Sequence, residues 1–308
     1  MASVTGVAVV SGQQTGLSAL HAAVFPAAPA YTLWAVEAIQ VQEVFPNGSA
    51  VDFFRYQPLQ GSATRGNLPY FEATEGAIII VGVRNSLSIA IRPEIVGVAV
   101  GPLIAPGQQD WFRFIMPAAG SYQLSQAEYR EVSGPLGLAG VMVSRPSSGA
   151  QELWNGGPSF DREYVLHYQD SDERWNQAAA LGHLPNLGLY EPNYFTINGL
   201  AYPNTSADPD SHVACLVGER VLIRLSNSGR IRQSIHFHGY HVDIAAQNNV
   251  PNMILPPKDT VEIAAGGTTD LILTVNQAGI FPVHSHSLTA VTSNGIYPYG
   301  QRTFIEAT

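Results

Sequence analysis

Two His-x-His pairs, His236-Phe237-His238 and His284-Ser285-His286, lie in the last quarter of the chain, whereas no histidine occurs from residue 22 to 166. A neutral imidazole is the commonest metal ligand in proteins and suits copper and zinc. In an extended strand the side chains at i and i+2 point to the same face, so each pair presents two imidazoles together. Two such strands side by side would bring four imidazoles into one small volume. The spacing therefore predicts a four-histidine metal site.

Three residues that follow the first pair, Tyr240, His241 and Asp243, are candidates for a supporting role. His241 could contact a metal ligand or a substrate, or it could be an ordinary structural histidine. Asp243 could accept a hydrogen bond from an imidazole N–H, as carboxylates behind metal ligands do, or it could be a surface acid. Tyr240 shares the strand face of His238 by its spacing and could border the pocket, although most strand tyrosines pack in the core.

The remaining histidines give weaker signals. We expect His167 to be structural and His183 and His212 to lie in loops. His21 lies in the N-terminal segment and could reach the metal site of a neighbouring copy, although such segments are usually mobile.

The composition is typical of an all-β protein rich in turns. The chain has 308 residues, including 29 glycines and 21 prolines, and only 13% of its residues are charged. This length suits two domains that each bury a core. A net charge of −9 argues against nucleic acid as a partner. No apolar stretch approaches the roughly 20 residues that a membrane span requires, so we expect no membrane insertion.

Short runs rich in Val, Ile and aromatic residues, separated by Gly, Pro and Asn, predict many short strands. The runs occupy residues 31–44, 76–85, 111–115, 138–143, 164–168, 194–197, 220–225, 235–244, 260–263, 271–275 and 303–305. A linker is expected at 145–151, and a helix or loop at 174–187. This organisation predicts an N-terminal segment, 1–29, followed by two β-sandwich domains, 30–148 and 149–308.

Several of these runs resemble the multicopper oxidase family. In the second domain the similarity lies in YFTINGL, GERVLIRLSN, HFHG, DTVEI, GIFPVHSH and NGIYPYG, which begin at residues 194, 218, 236, 259, 279 and 294 and keep the family's order and spacing. In the first domain it lies in residues 75–85, 106–107, 117–122 and 137–143. The resemblance covers residues 30–308 and implies two tandem cupredoxin-like Greek-key β-sandwich domains. A chain of this kind is similar to copper nitrite reductases and two-domain laccases, which implies a homotrimer with metal sites between subunits.

The chain departs from the family at the blue copper centre that receives electrons. The resemblance places the ligands of that centre, a His, a Cys and a later His, on Gln233, Ser285 and Ala290. A hydroxyl cannot replace a thiolate as a soft copper ligand. The one cysteine, Cys215, is far from these positions along the chain. We therefore expect no blue copper centre.

The first domain also lacks the ligands that the resemblance implies. The family's His-x-His pairs would fall near residues 89–93 and on Ser125 and Ala127, and none of these positions holds an imidazole. Close to the second pair, polar residues could line a substrate pocket or merely fill the space of lost ligands: Gln126, Glu128, Tyr129 and Arg130. A complete three-copper cluster therefore cannot form. His236, His238, His284 and His286 could hold one or two copper ions, with zinc the less favoured metal.

Two functional classes remain open. The first is a copper-dependent oxidoreductase that acts directly on a small oxidisable molecule such as a phenol or amine, together with oxygen. The second is a non-catalytic cupredoxin scaffold or copper-binding protein. The location is equally open: we expect a periplasmic or secreted protein if a signal has been removed, and a cytoplasmic one otherwise, since residues 1–29 lack the basic start of an intact signal peptide.

Overall fold

The computed structural model describes residues 30–61, 63–183, 185–252 and 254–308. The N-terminal segment 1–29, with His21, lies outside these residues. The described chain consists of short strands with three short helices among them, so the all-β prediction is confirmed. None of these helices is long and apolar enough to span a membrane.

Ten strands between residues 31 and 145 form two sheets that pack face to face. The strands are β1 Tyr31–Val44, β2 Ala50–Gln60, β3 Ala63–Arg65, β4 Leu68–Thr74, β5 Ile78–Asn85, β6 Pro93–Ile95, β7 Ala99–Val100, β8 Gln109–Ile115, β9 Gly120–Gln126 and β10 Gly140–Arg145. Their orders are β2-β1-β5-β8 and β3-β4-β10-β9-β6-β7. The core between them includes Trp34, Val81, Leu124 and Met142. Helix α1, Arg130–Leu136, follows β9 and was not predicted.

Eleven strands between residues 162 and 307 form a second pair of sheets. The strands are β11 Arg162–Ser171, β12 Tyr194–Ile197, β13 Val213–Cys215, β14 Arg220–Asn227, β15 Gln233–Phe237, β16 Asp243–Gln247, β17 Val250–Pro251, β18 Thr260–Ile263, β19 Thr268–Thr274, β20 Gly279–Ser285 and β21 Arg302–Ala307. Their orders are β12-β11-β14-β19-β16-β17 and β13-β21-β20-β15-β18. Leu225, Ile235, Phe237 and Val283 pack between the two sheets. Helix α3, Asn204–Ala207, lies before β13.

A helix is present where the sequence predicts a helix or loop. Helix α2, Glu173–Ala180, begins after Asp172, whose side chain accepts a hydrogen bond from the Arg174 N–H. This N-cap satisfies one of the unpaired amides of the first turn. Trp175 on this helix is buried in the core of the first sandwich, so α2 ties the two sandwiches together.

Buried polar groups join the sandwiches as well. The Ser121 hydroxyl donates to Asp270 at 2.5 Å, and the Ser121 backbone exchanges two hydrogen bonds with the Asn249 side chain. Arg224, also buried, donates to Glu163 at 2.6 Å and to Ser121 at 3.0 Å. Since such groups are costly to bury unpaired, these bonds favour one relative placement of the sandwiches.

One predicted strand is wrong in its extent. Residues 235–244 are not continuous: β15 ends at Phe237, and β16 begins at Asp243 in the opposite sheet. Gly239 lies between them with φ 73°, and a Cβ there would approach the Phe281 ring to 2.4 Å. Only glycine fits this turn readily, because it adopts positive φ at little cost and has no Cβ.

Candidate metal centre

Strand register places both histidine pairs on one face of a sheet. Ile235 and Phe237 of β15 are buried, so His236 between them points to the outer face. The same alternation in β20 buries Val283 and Ser285 and turns His284 outward. His236 is the direct partner of His284 across the β15–β20 pair.

The structure brings the four predicted histidines together. The His236 ring lies 4.6 Å from His238, 5.8 Å from His284 and 5.5 Å from His286, measured between ring centroids. The His238 and His284 rings are 5.1 Å apart, and their Nε2 atoms are separated by 2.9 Å. His236 and His284 are half-buried, whereas His238 and His286 are exposed. We call these four residues the histidine cluster.

Hydrogen bonds fix the tautomers of two rings. His284 Nδ1 lies 2.8 Å from the Ser285 carbonyl oxygen, and His236 Nδ1 lies 3.1 Å from the Asp259 carbonyl oxygen. A carbonyl can only accept, so both Nδ1 atoms carry the proton and the neutral rings keep a lone pair on Nε2. His238 Nε2 therefore donates to His284 Nε2 in the metal-free protein. Histidine ligands in metal sites are commonly oriented in this way by a bond at the other ring nitrogen.

Burial and neighbouring positive charges favour the neutral form of two rings of the cluster, His238 and His284. Burial is the main cause that lowers the pKa of His238, and the charges of His236, His284 and Arg302 lower it further. Burial also lowers the pKa of His284, while the bond to the Ser285 carbonyl partly opposes the shift. An imidazole with a lowered pKa stays unprotonated at neutral pH, which is the form that binds a metal.

The donor set fits a metal ion, although the side chains are not fully converged. As they lie, no three His, Cys, Asp or Glu donors of the described residues surround a common point closely enough to hold an ion. The 2.9 Å between His238 Nε2 and His284 Nε2 is the length of their hydrogen bond. It is also compatible with two ligands of one ion, because nitrogens that each lie about 2.05 Å from an ion at a right angle are about 2.9 Å apart. His236 and His286 would add further ligands by side-chain rotation. His286 makes no side-chain hydrogen bond to the described residues that would oppose this.

Three residues near the cluster were not singled out from the sequence. Thr260 pairs with His236 across β18 and β15, and its hydroxyl lies 3.0 Å from His236 Nδ1. The Asp259 carboxylate lies 3.9 Å from the same nitrogen. Arg302 pairs with His284 across β21 and β20. No local pattern signals these contacts, because they arise from pairing between strands that are distant in the chain.

The supporting residues proposed beside the first pair are not brought to the cluster. Asp243 begins β16 in the opposite sheet, so it does not orient an imidazole. Tyr240 is buried, donates to the Gln277 carbonyl oxygen at 2.7 Å and contacts Phe281, which makes it a packing residue. His241 is exposed and makes no side-chain hydrogen bond or ring contact within the described residues. The turn at Gly239 is the reason, since it ends the two-residue period of β15.

The first-domain candidates lie in the other sandwich. Glu128 pairs with Arg92 at 3.1 Å, and Tyr129 precedes α1 with φ 58° and is 63% exposed. Neither contacts the histidine cluster within one chain. That they line a substrate pocket stays a prediction, as does the homotrimer.

The comparisons with known proteins agree with this geometry. Residues 181–298 match the family model described as multicopper oxidase. The match covers most of the second sandwich, which is therefore similar to a multicopper oxidase domain. The resemblance predicted from the sequence is thereby confirmed. Comparison with curated protein sequences finds no match.

Solved structures share the fold over most of the chain. A blue copper oxidase from Nitrosomonas europaea is 21% identical, with a TM-score of 0.75 over 89% of this chain and 85% of that one. The multicopper oxidase mgLAC is 21% identical, with a TM-score of 0.73 over 89% and 85%. A copper nitrite reductase from Nitrosomonas europaea is 18% identical, with a TM-score of 0.69 over 90% and 93%. At these identities the likeness establishes the cupredoxin-type fold.

Within the second sandwich, the positions that the resemblance assigns to a blue copper centre are filled by ordinary polar packing. Gln233, Ser285 and Ala290 are all buried. The Gln233 side chain accepts from the Ser285 hydroxyl at 3.5 Å and donates to the Asp170 carboxylate at 3.1 Å. No soft ligand occurs among these residues. Cys215 is buried in β13, two strands away from β20, and burial raises the pKa of its thiol.

The other described histidines have structural surroundings. His167 is buried between the Ser226 and Ser228 hydroxyls, at 2.5 and 2.7 Å. His212 pairs with Glu306 at 2.9 Å, and His183 is exposed after α2.

Proposed function

We propose that the histidine cluster binds copper and that the protein is a copper-dependent oxidoreductase. Its substrate would be a small oxidisable organic molecule of the phenol or amine type, with oxygen as the electron acceptor. The observation that carries the proposal is the pair of imidazole nitrogens 2.9 Å apart, flanked by two further imidazoles on the same sheet face. Zinc is the less favoured metal, because the solved structures that share the fold are named as copper proteins.

Four neutral imidazoles form a donor set that suits copper. His284 is held by the Ser285 carbonyl, and His236 is held by Thr260 and the Asp259 carbonyl. These bonds keep both lone pairs directed away from the backbone. One ion would use His238 and His284 first, and the positions of His236 and His286 leave room for additional coordination or for a second ion.

The absence of thiolate and imidazole at Gln233, Ser285 and Ala290 determines how electrons could enter. Without a blue centre, a substrate has to give its electrons at the histidine cluster itself. Bound copper would supply one-electron redox and Lewis-acid chemistry there. The exposure of His238 and His286 gives a small molecule direct access to this face.

A second candidate function is a copper-binding or scaffold protein without catalysis. The observation that favours it is the location of the cavities. One of about 460 Å³ lies between the two sandwiches, and one of about 150 Å³ lies near Phe45, and neither is lined by a histidine. An enzyme would need a substrate-sized pocket at the cluster, and these two cavities do not supply one.

The deciding experiment measures copper per chain after loading and dialysis, with an electron paramagnetic resonance spectrum and oxygen uptake on phenols and amines. The matched variants are His238→Ala/His286→Ala, which removes two cluster ligands, and His241→Ala, which removes an exposed histidine outside the cluster. If the protein is a copper oxidoreductase, we expect about one copper per chain and a non-blue resonance spectrum typical of nitrogen ligands. We also expect the double variant to lose oxygen uptake and His241→Ala to keep it.

Other results would assign the protein differently. Two copper ions per chain without a resonance signal would indicate a coupled pair. Copper retention without oxygen uptake on any substrate would favour a copper-binding protein. A folded wild type that retains no copper would contradict the proposal and favour a scaffold.

A further inference from the structure

Arg302 lies beside the histidine cluster on the same outer face of the sheet. It is the direct cross-strand partner of His284, as His236 is on the other side. Side chains of directly opposed residues in an antiparallel pair are about 5 Å apart at Cβ. Arg302 is therefore adjacent to the proposed metal position.

Aromatic side chains hold this guanidinium in place. It lies over the Tyr202 ring at 4.9 Å and over the Phe304 ring at 5.1 Å, measured to the ring centroids. Its Nη1 donates to the Tyr297 hydroxyl at 3.4 Å. A stacked guanidinium keeps its N–H groups in the plane that is free of the rings, where they can donate.

Arg302 has no carboxylate partner among the described residues. Arg232, on the same sheet face, donates to Glu262 at 2.6 Å, so a surface arginine here can acquire a counter-ion. A cation next to a site for a divalent metal opposes metal binding by Coulomb repulsion. Metal binding alone therefore does not account for an unpaired arginine held at this position, whereas a ligand with a negative charge does.

We propose that Arg302 binds the carboxylate of an aromatic acid whose phenol or amine group lies at the histidine cluster. A planar guanidinium matches a carboxylate with two parallel hydrogen bonds. The half-buried Phe304 and the exposed Tyr297 offer aromatic surface for the ring of such a molecule. The inference that the bound acid is oxidised rests on the proposed function. The inference that Arg302 binds its carboxylate does not.

The test compares 4-hydroxybenzoate with its neutral analogue 4-hydroxybenzamide by isothermal titration calorimetry. Both are titrated into metal-free and copper-loaded protein, as wild type, Arg302→Gln, Arg302→Lys and the control Arg232→Gln. We expect wild type to prefer the acid, and Arg302→Gln to weaken acid binding about tenfold without changing amide binding. Arg302→Lys should retain part of the preference, and Arg232→Gln all of it.

The preference for acid over amide is measured within one protein, so partial unfolding of a variant does not imitate the effect. Equal binding of acid and amide by wild type, or an equal preference in wild type and Arg302→Gln, would overturn the inference. If Arg302-dependent acid binding occurs but copper is not retained, the inference holds and the proposed function fails. If oxygen uptake is the same for wild type and Arg302→Gln, and the same for phenols with and without a carboxylate, the proposed function is supported and the inference about Arg302 is refuted.

Discussion

Buried His167 makes the stability of this protein sensitive to mild acid. Burial, with a smaller contribution from Arg55, lowers the pKa of His167 from 6.5 to about 3 in the folded protein. His167 becomes protonated near pH 6.5 in the unfolded chain but stays neutral at that pH in the folded protein. The free energy of unfolding therefore falls as the pH drops below 6.5. The slope approaches about 1.4 kcal/mol per pH unit, and between pH 7 and pH 4.5 the loss from this one group is about 2.5 kcal/mol.

The measurement is urea unfolding at pH 7 and pH 4.5 for wild type, His167→Gln and the matched control His241→Gln. Other acids also titrate, so the quantity of interest is the difference between proteins in the loss of unfolding free energy. His167→Gln is expected to lose about 2.5 kcal/mol less than wild type on acidification, even if it is less stable at pH 7. An equal acid-induced loss in wild type and His167→Gln would refute a neutral, buried His167. The same experiment sets the lowest pH at which copper loading can be tested on folded protein.

Three further predictions concern the site and its support. Thr260→Val should weaken copper binding by about tenfold or more, because His236 loses an orienting partner, and unchanged affinity in a metal titration would contradict this. Ser285→Cys should produce no intense blue absorption with copper, because the other two ligand positions hold a glutamine and an alanine, and such a band would overturn the assignment. Arg224→Met should cost about 3–5 kcal/mol in urea unfolding, because buried Asp270 loses its cationic partner and Glu163 keeps only Arg145. A loss below about 1 kcal/mol would show that these buried pairs are not needed.

The alternation of residues along the strands predicts the four histidines of the cluster but not the residues that surround them. Alternation along β15 and β20 is a local property of the chain. Spacing alone therefore predicts that the two histidines of each pair lie on the same face of the sheet. Tyr240 and Asp243 were misplaced because the residue pattern continues smoothly through Gly239, whereas the chain turns there and crosses to the other sheet. At this turn Gly239 lies against the Phe281 ring, a contact between residues distant in the chain that no local pattern contains.

The sequence by itself determined the all-β architecture and the imidazole donor set, and its resemblance to multicopper oxidases implies the loss of the blue centre. The first two follow from composition and from a two-residue period. The third follows from the ligand positions that the resemblance assigns, because a serine hydroxyl cannot act there as a thiolate. Tertiary structure alone decided that Thr260 and Arg302 flank the histidines, which ring nitrogens keep their lone pairs, and that the cluster faces solvent. Those features depend on strand register, which the hydrogen bonds and packing of whole sheets establish between residues far apart in the chain.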